Sequence, residues 1–378
     1  MDGIKRDLFP ILRQKYYFNT CSVGPLAIPV KKAIEKYLDQ WDSFGGLAWG
    51  SEDGWMVTVE KARALFAKLI NAKPENIAYS FGNSTAISSV TSCFTFNQRN
   101  EVVFNELDFP ATATHLMAKS VNGAKYRVAK SSDGKTVTLD EYKKVVTKKT
   151  CLITTCHVVS NTGFRIDENE MVEFAREREI PVFLDAYQSL GAIPLDVRKL
   201  DVDFVASGCF KWLLGGSGIS FLYVRDDWFE RAPGSIGWMG VDEPFADLLD
   251  KLRTTLHRPS DARRFQYGTP YPVGATSAYA GMKIIDEIGV SKIENQNSKL
   301  TQRLIEGVTD AGLTTLTPEE PEKRGSIVNV QVREAGKVVE DLQRKDFVLD
   351  MRSNGIRVSP HFFNSYEDVD RLLDVLKN

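Results

Sequence analysis

A chain of 378 residues is long enough for two or three domains and a large buried core. With 43% hydrophobic and 26% charged residues and a formal net charge of -2, the composition is ordinary for a soluble globular protein and favours neither nucleic acid nor an acidic tail. The five cysteines are odd in number and scattered, which argues against a disulfide framework and for a reducing compartment, and four histidines without a CxxC pair give little support to a metal site.

The N-terminal residues, MDGIKRDLFPILRQKYYF, contain no apolar core followed by a small-residue cleavage site, so we do not interpret them as a secretory signal. No uncharged apolar run further along reaches membrane-spanning length. We therefore expect a cytoplasmic protein without a membrane or nucleic-acid partner.

From about residue 59 the chain alternates helical and strand patterns. Helical spacing is found at 59–71, 139–149 and 168–180, whereas short apolar strands are predicted at 76–80, 101–106, 124–130, 151–159, 180–186, 202–208 and 219–225. This alternation predicts an α/β domain with a mainly parallel sheet and helices on both faces. Ligands of such sheets bind at the carboxyl ends of the strands.

After about residue 258 the pattern changes to that of an α+β module. It consists of a long helical stretch at 275–312, a strand at 325–332, a helix at 338–350 and a strand at 355–360. A last helix is predicted from Tyr366, because Ser365 with Asp368 three residues on forms a capping-box signal.

An acid and a lysine follow two successive strands of the first domain. Asp185 ends the strand at 180–186, and Lys211 comes just after the strand at 202–208, so both are predicted at one sheet edge. This pair suits pyridoxal phosphate, since a lysine can bind the cofactor covalently and a carboxylate can keep its ring nitrogen protonated. For either residue alone we favour the ordinary alternative, a turn cap for Asp185 and a solvated lysine for Lys211. The pair makes the functional interpretation worth testing.

A phosphate site is predicted at residues 82–85, GNST, which lie between a strand and a helix. Free backbone N–H groups at a helix N-terminus, with two hydroxyls beside them, bind anions. The alternative is ordinary helix capping by serine and threonine.

Three segments together resemble the class V aminotransferase family, which includes cysteine desulfurases, kynureninases and isopenicillin-N-epimerase-like proteins. They are DAYQSLG, the strand end running from Ser207 into FKWLLGGSG, and GIRVSPHFFNS. The resemblance implies an aspartate-aminotransferase-like fold (type I). Its large domain, 16–257, would hold a mostly parallel seven-stranded sheet, and its smaller C-terminal α+β domain, 258–378, would be joined by residues 1–15. It also implies a homodimer with shared active sites.

The resemblance implies which residues contact the pyridine ring of the cofactor. Lys211 matches the Schiff-base lysine, Asp185 the partner of the pyridine nitrogen, and Gln188 the donor to the ring 3′ oxygen. Phe109 stands where desulfurases place a ring-stacking histidine, and it can stack but cannot exchange protons.

The cofactor phosphate is assigned to three places in the chain. Ser84 and Thr85 match the turn after the first strand of the large domain, and Ser207 stands four residues before the lysine, one more than in desulfurases. Gly268 and Thr269 resemble the segment that reaches the phosphate from the neighbouring subunit.

The resemblance also implies substrate-binding residues, which lie near the C-terminus and in the segment CHVVSNTG at 156–163. Arg357 matches the arginine that clamps the substrate α-carboxylate, with Arg352 as a possible helper, and Asn161 resembles the family asparagine near the ring oxygen and substrate.

The reaction class stays open between several chemistries of the family. Residues 351–357, MRSNGIR, contain no cysteine and no room for the desulfurase loop, so persulfide chemistry is not expected. We favour aminotransferase chemistry on an amino acid over epimerisation or a β-lyase reaction of the kynureninase or C–S lyase kind. A cofactor-binding regulatory module is the non-enzymatic alternative.

Overall fold

A seven-stranded sheet forms the centre of the protein in the computed structural model, which describes residues 1–245 and 256–377. In chain order its strands are β2 (Ile77–Ser80), β3 (Glu101–Asn105), β4 (Lys125–Ala129), β5 (Thr150–Cys156), β6 (Val182–Asp185), β7 (Phe204–Gly208) and β8 (Ser220–Val224). A two-residue strand, β1 (Tyr16–Tyr17), precedes them.

The spatial order of this sheet is β2-β8-β7-β6-β5-β3-β4. Strands β3 to β7 pair in parallel, and β8 runs antiparallel to both β7 and β2. The prediction of a mostly parallel sheet of seven strands is confirmed. The carboxyl ends of six strands therefore lie along one edge.

Both faces of the sheet are covered, as the apolar strands require. Val103 and Leu184 belong to one core cluster, whereas their chain neighbours Val102 and Phe183 belong to another, because successive side chains point to opposite faces. The helices of this part are α1 (Ile28–Phe44), α2 (Trp55–Leu69), α3 (Asn83–Thr91), α4 (Pro110–Ala118), α5 (Leu139–Lys143), α6 (Glu168–Arg176) and α7 (Val197–Leu200).

A four-stranded antiparallel sheet with helices forms the C-terminal part. Its elements, with the helix that leads into it, are α8 (Pro272–Ile288), α9 (Val290–Asp310), β9 (Thr314–Thr315), β10 (Val328–Gln331), α10 (Ala335–Arg344), β11 (Phe347–Val348), β12 (Asp350–Arg352), β13 (Gly355–Val358) and α11 (Tyr366–Leu376). The sheet order is β12-β13-β10-β9. The capping box of Ser365 and Asp368 begins α11 as predicted.

Four predicted helices were too long, and one of them, predicted at 168–180, ends at Arg176. The stretch at 275–312 is two helices, because Gly289 takes a φ of +88° between them. The helix at 338–350 ends at Arg344, and after a turn in which Asp346 has a φ of +68° the chain pairs with β1 as β11. The helix at 139–149 ends at Lys143.

The contacts of the N-terminal segment and of α8 bear on the domain division. Phe18, just after β1, is buried in the core of the C-terminal part, while α8 packs on α1 and α2. The boundary at residues 257 and 258 stays a prediction. No helix among the described residues is long and apolar enough to span a membrane.

Candidate active site

Asp185 and Lys211 meet at the carboxyl edge of two adjacent parallel strands. Asp185 is the last residue of β6, and Lys211 lies three residues beyond the end of β7. Oδ1 of Asp185 accepts hydrogen bonds from Nδ2 of Asn83 at 2.7 Å and from the backbone N–H of Tyr187 at 2.9 Å. Burial raises the pKa of Asp185, while these donors and Lys211 oppose that rise.

Lys211 is enclosed, and its residue is 9% exposed. Within residues 1–245 and 256–377, Nζ has no hydrogen-bond acceptor and no ion-pair partner. Nζ lies 4.4 Å from the ring centroid of Tyr187 and 5.7 Å from that of Phe109. Burial lowers the pKa of Lys211 to about 8, so more of the amine is neutral and nucleophilic near neutral pH than in an exposed lysine.

Phe109 is held at the mouth of the site by the loop that begins α4. Its ring is 53% exposed. The neighbouring Asp108 accepts hydrogen bonds from the backbone N–H groups of Asn105 and Cys156, at 3.1 and 2.8 Å, and so ties this loop to the end of β5. Burial raises the pKa of Asp108 to about 6. Sequence reasoning missed Asp108, although a carboxylate directly before a strand-end aromatic was a usable signal.

The first turn of α3 points its N–H groups toward the same edge. Gly82 is the N-cap, and its carbonyl accepts from Thr85 and Ala86, both at 3.0 Å. Ser84 is exposed and Thr85 half-buried, so both hydroxyls are accessible beside unpaired helix N–H groups. The contact of Asn83 with Asp185 was not predicted, because among the side chains of GNST only the hydroxyls of Ser84 and Thr85 were considered. The Oδ1 of Asn83 is buried without a partner among the described residues.

The other predicted phosphate residues lie in β7 and in the segment that precedes α8. Ser207 is buried in β7, and its hydroxyl donates to the carbonyl of Gly208 at 3.1 Å. Gly268 is anchored by the hydroxyl of Tyr79, which donates to its carbonyl at 2.9 Å, and Thr269 beside it is exposed.

Gln188 connects the N-terminal segment to the loop after β7 that contains Lys211 and Trp212, called the lysine loop below. Its Nε2 donates to the carbonyl of Cys21 at 3.1 Å, and its Oε1 accepts from Nε1 of Trp212 at 3.0 Å. One amide hydrogen remains for a ligand. Cys21 itself is buried, which raises the pKa of its thiol against the opposing charge of Arg357, and it was not recognised from sequence.

Arg357 is 4% exposed and lies in β13 opposite Asp350 of β12. Asp350 forms a bidentate ion pair with Arg357, in which Nε donates to Oδ1 at 2.9 Å and Nη2 donates to Oδ2 at 2.6 Å. Its Nη2 also donates to Oγ of Ser22 at 2.6 Å, and its Nη1 to the carbonyl of Ser160 at 3.0 Å. A single Nη1 hydrogen is thus left for a ligand.

Asn161 and Arg352 lie close to this arginine. Asn161 follows Ser160 directly, and its carbonyl accepts from Nδ2 of Asn329 at 3.0 Å. Arg352 is half exposed, with Nη2 3.5 Å from Oδ2 of Asp350, so an exposed cation lies beside the buried one. The structure thus gathers an enclosed lysine, a half-buried carboxylate, a helix N-terminus and two guanidinium groups along one edge.

Comparisons with known proteins agree on one family. A family model described as aminotransferase class V matches residues 25–372. The protein of Bacillus subtilis (strain 168) named as the uncharacterized aminotransferase YcbU is 32% identical over 373 residues, which cover 98% of this chain and 95% of that one. A kynureninase of Bacillus anthracis is 29% identical, over 96% of this chain and 87% of its own.

Solved structures show the same fold. The apo cysteine desulfurase from Thermococcus onnurineus NA1 matches with a TM-score of 0.86 and 23% identity, over 100% of this chain and 98% of its own. A mutant of C-DES with glycine covalently linked to its PLP cofactor matches with a TM-score of 0.90 and 20% identity, over 99% of both chains.

Proposed function

Since the chain belongs to the class V aminotransferase family, a family of pyridoxal-phosphate enzymes, we propose that it is an aminotransferase acting on an amino acid. The observation that carries the proposal is Lys211, a buried amine without an acceptor among the described residues, one strand away from the half-buried carboxylate Asp185. Within that part of the chain, such a lysine has no structural partner to lose when it binds a cofactor.

The residues at the sheet edge fit pyridoxal phosphate. Lys211 would carry it covalently through Nζ, Asp185 would face its ring nitrogen, and Phe109 would cover its ring. The first turn of α3, with Ser84 and Thr85, would receive the phosphate. The buried Oδ1 of Asn83 and the remaining amide hydrogen of Gln188 are further polar groups that a ligand could satisfy.

The chemistry that the cofactor supplies is withdrawal of electrons from the substrate α-carbon. Asp185 would hold a proton on the ring nitrogen, because a buried carboxylate favours a cation beside it. Nζ of Lys211, with its pKa near 8, can take the α-proton and return it at neutral pH. Arg357 and Arg352 would orient the substrate carboxylate, and Asn161, which follows Ser160, would assist them.

A β-lyase reaction of the kynureninase kind is the second candidate, and the kynureninase relatives over 96% of the chain favour it. Desulfurase chemistry is not favoured. Met351 and Arg352 are joined to Arg357 by a tight hairpin with Ser353 and Asn354 at its turn, so no cysteine-bearing loop precedes the arginine.

We propose that the working form is a homodimer. Leu38, Trp41 and Phe44 expose one apolar face of α1, and Leu47 beyond it is 78% exposed. Tyr271, also exposed, begins α8 near Tyr37 of α1, so this surface continues toward Gly268 and Thr269. Neighbouring exposed apolar side chains of this kind are typical of an interface between protein chains.

A cytoplasmic location is the accompanying proposal, supported by five cysteines that are all unpaired.

The test is the visible spectrum of the cofactor-loaded protein as single L-amino acids are added without a keto acid. An aminotransferase loses its yellow colour lastingly with its amino-acid substrate and regains it when a keto acid follows. Colour that persists or recovers unaided while substrate is consumed contradicts transamination and supports the lyase or an epimerase.

A further inference from the structure

Tyr187 contacts Lys211 but has no part in the proposed chemistry. Its ring centroid lies 4.4 Å from Nζ, closer than that of Phe109, and it is not one of the residues assigned to the cofactor or substrate. Nζ has no hydrogen-bond acceptor within the described part of the chain, so the electron-rich ring face is a contact that can stabilise its ammonium form.

The surroundings of Tyr187 fix the direction of its ring. Its backbone N–H donates to Asp185 at 2.9 Å, and its ring meets that of Phe210 edge-on, with centroids 5.5 Å apart and planes at 88°. Gly208 lies beneath the ring: a Cβ at Gly208 would come within 2.2 Å of Cζ of Tyr187. A glycine at the end of β7 is therefore what admits the tyrosine beside the lysine.

We propose that Tyr187 is a positioning residue for Lys211: its ring face holds Nζ at the edge of β6 and β7, and Gly208 provides the space for that ring. The inference rests on the proposed function, in which Lys211 carries the cofactor. An aromatic face is attracted to the ammonium form and not to the neutral amine. The ring thus favours a protonated Nζ, against the burial that disfavours it.

Other charges around Lys211 act in both directions. Asp185 and the thiol of Cys21 favour the protonated lysine, while Arg357 and Arg352 disfavour it. These groups are kept when the ring of Tyr187 is replaced. The contribution of the ring to the pKa of Lys211 is therefore the difference between the variant and the parent protein.

The test measures the pH at which Lys211 becomes reactive in the full-length chain freed of cofactor. Formaldehyde with cyanoborohydride methylates neutral amines, and peptide mass spectrometry reads the midpoint at Lys211, with the exposed Lys337 of the same digest as reference. Tyr187→Leu should lower the midpoint by about 0.5–1.5 pH units. Gly208→Ala should lower it similarly, because its Cβ displaces the ring without opening a cavity, and Tyr187→Phe should match the parent protein.

Two results would overturn the proposal. One is a midpoint in Tyr187→Leu and Gly208→Ala that stays unchanged or rises. The other is a shift in Tyr187→Phe equal to that of the leucine variant, which would assign the effect to the hydroxyl. Neither depends on turnover, so failure here is distinguishable from failure of the proposed function, which would appear as cofactor attached to another lysine. Melting temperatures of the variants establish that each chain is folded.

Discussion

Asp185 and Lys211 could be predicted from sequence because Asp185 ends one apolar strand and Lys211 comes three residues after the next, and the ends of neighbouring parallel strands share an edge. Asn83 could not, since its contact with Asp185 joins residues 102 positions apart. The ion pair between Asp350 and Arg357 could not be predicted either, because the helix predicted at 338–350 included Asp350, which instead begins the first strand of a hairpin. Local pattern locates a side chain on an element, but its partners follow from the packing of elements.

At the residue scale, we predict that Asp185→Asn keeps the cofactor and loses turnover. The amide oxygen still accepts from Asn83 and Tyr187, but the side chain no longer stabilises a protonated ring nitrogen. We expect kcat to fall about 10²–10³-fold, as when one oriented electrostatic partner is removed from a site. Steady-state kinetics measures it, and Asp39→Asn on exposed α1 is the control. An unchanged kcat in the Asp185→Asn enzyme would remove Asp185 from the mechanism.

At the element scale, the predicted strands of the large sheet lie within a few residues of the observed ones, because buried parallel strands are nearly continuous apolar runs. Helix ends were less predictable. The sequence around Gly289 keeps helical spacing on both sides of the break, and only the backbone reveals that α9 turns away from α8 there. Phe347 likewise continues an apolar pattern but pairs with β1, from the other end of the chain.

Two glycine substitutions should therefore have opposite effects on stability. Gly289 has a φ of +88°, so Gly289→Ala should lower the free energy of unfolding by about 1–3 kcal/mol. Gly336, in α10, has only the Met351 sulfur at 4.0 Å from an added Cβ, so Gly336→Ala should raise it by about 0.5 kcal/mol. Urea unfolding measures both. Equal effects of the same sign would contradict this account of the α8–α9 junction.

At the scale of the whole molecule, His361 joins the C-terminal part to the lysine loop. It is fully buried, with Nδ1 3.2 Å from Nδ2 of Asn297 and Nε2 3.2 Å from the carbonyl of Trp212, next to Lys211. Burial lowers the pKa of His361 from 6.5 to about 3. In the unfolded chain His361 is therefore protonated below about pH 6.5, whereas in the folded chain it stays neutral down to about pH 3.

Stability should consequently fall as the pH falls through this window, with His361 contributing about 1.4 kcal/mol per pH unit. In His361→Gln the free energy of unfolding should depend less steeply on pH between 6 and 4 than in the parent protein. This prediction concerns the slope and does not depend on how stable the variant is at pH 7. Chemical unfolding at several pH values measures the slope. His257→Gln, at an exposed histidine, is the control, and equal slopes in the two variants would contradict the assignment.

The proposed dimer is the second prediction at this scale. Trp41 is 57% exposed on the apolar face of α1, so Trp41→Asp should convert the dimer into a monomer in sedimentation experiments. Val121→Asp changes a still more exposed apolar residue outside that face and should leave the dimer intact. Sedimentation of both variants as dimers would place the interface elsewhere, and a monomeric parent protein would contradict the dimer itself.

The most direct test of the account is borohydride reduction of the cofactor-loaded protein followed by peptide mapping. The account predicts one reduced cofactor per chain, on the peptide that contains Lys211, and neither trapped cofactor nor turnover in Lys211→Ala. Trapping on another lysine, or a Lys211→Ala protein that still traps cofactor and turns over, would contradict it.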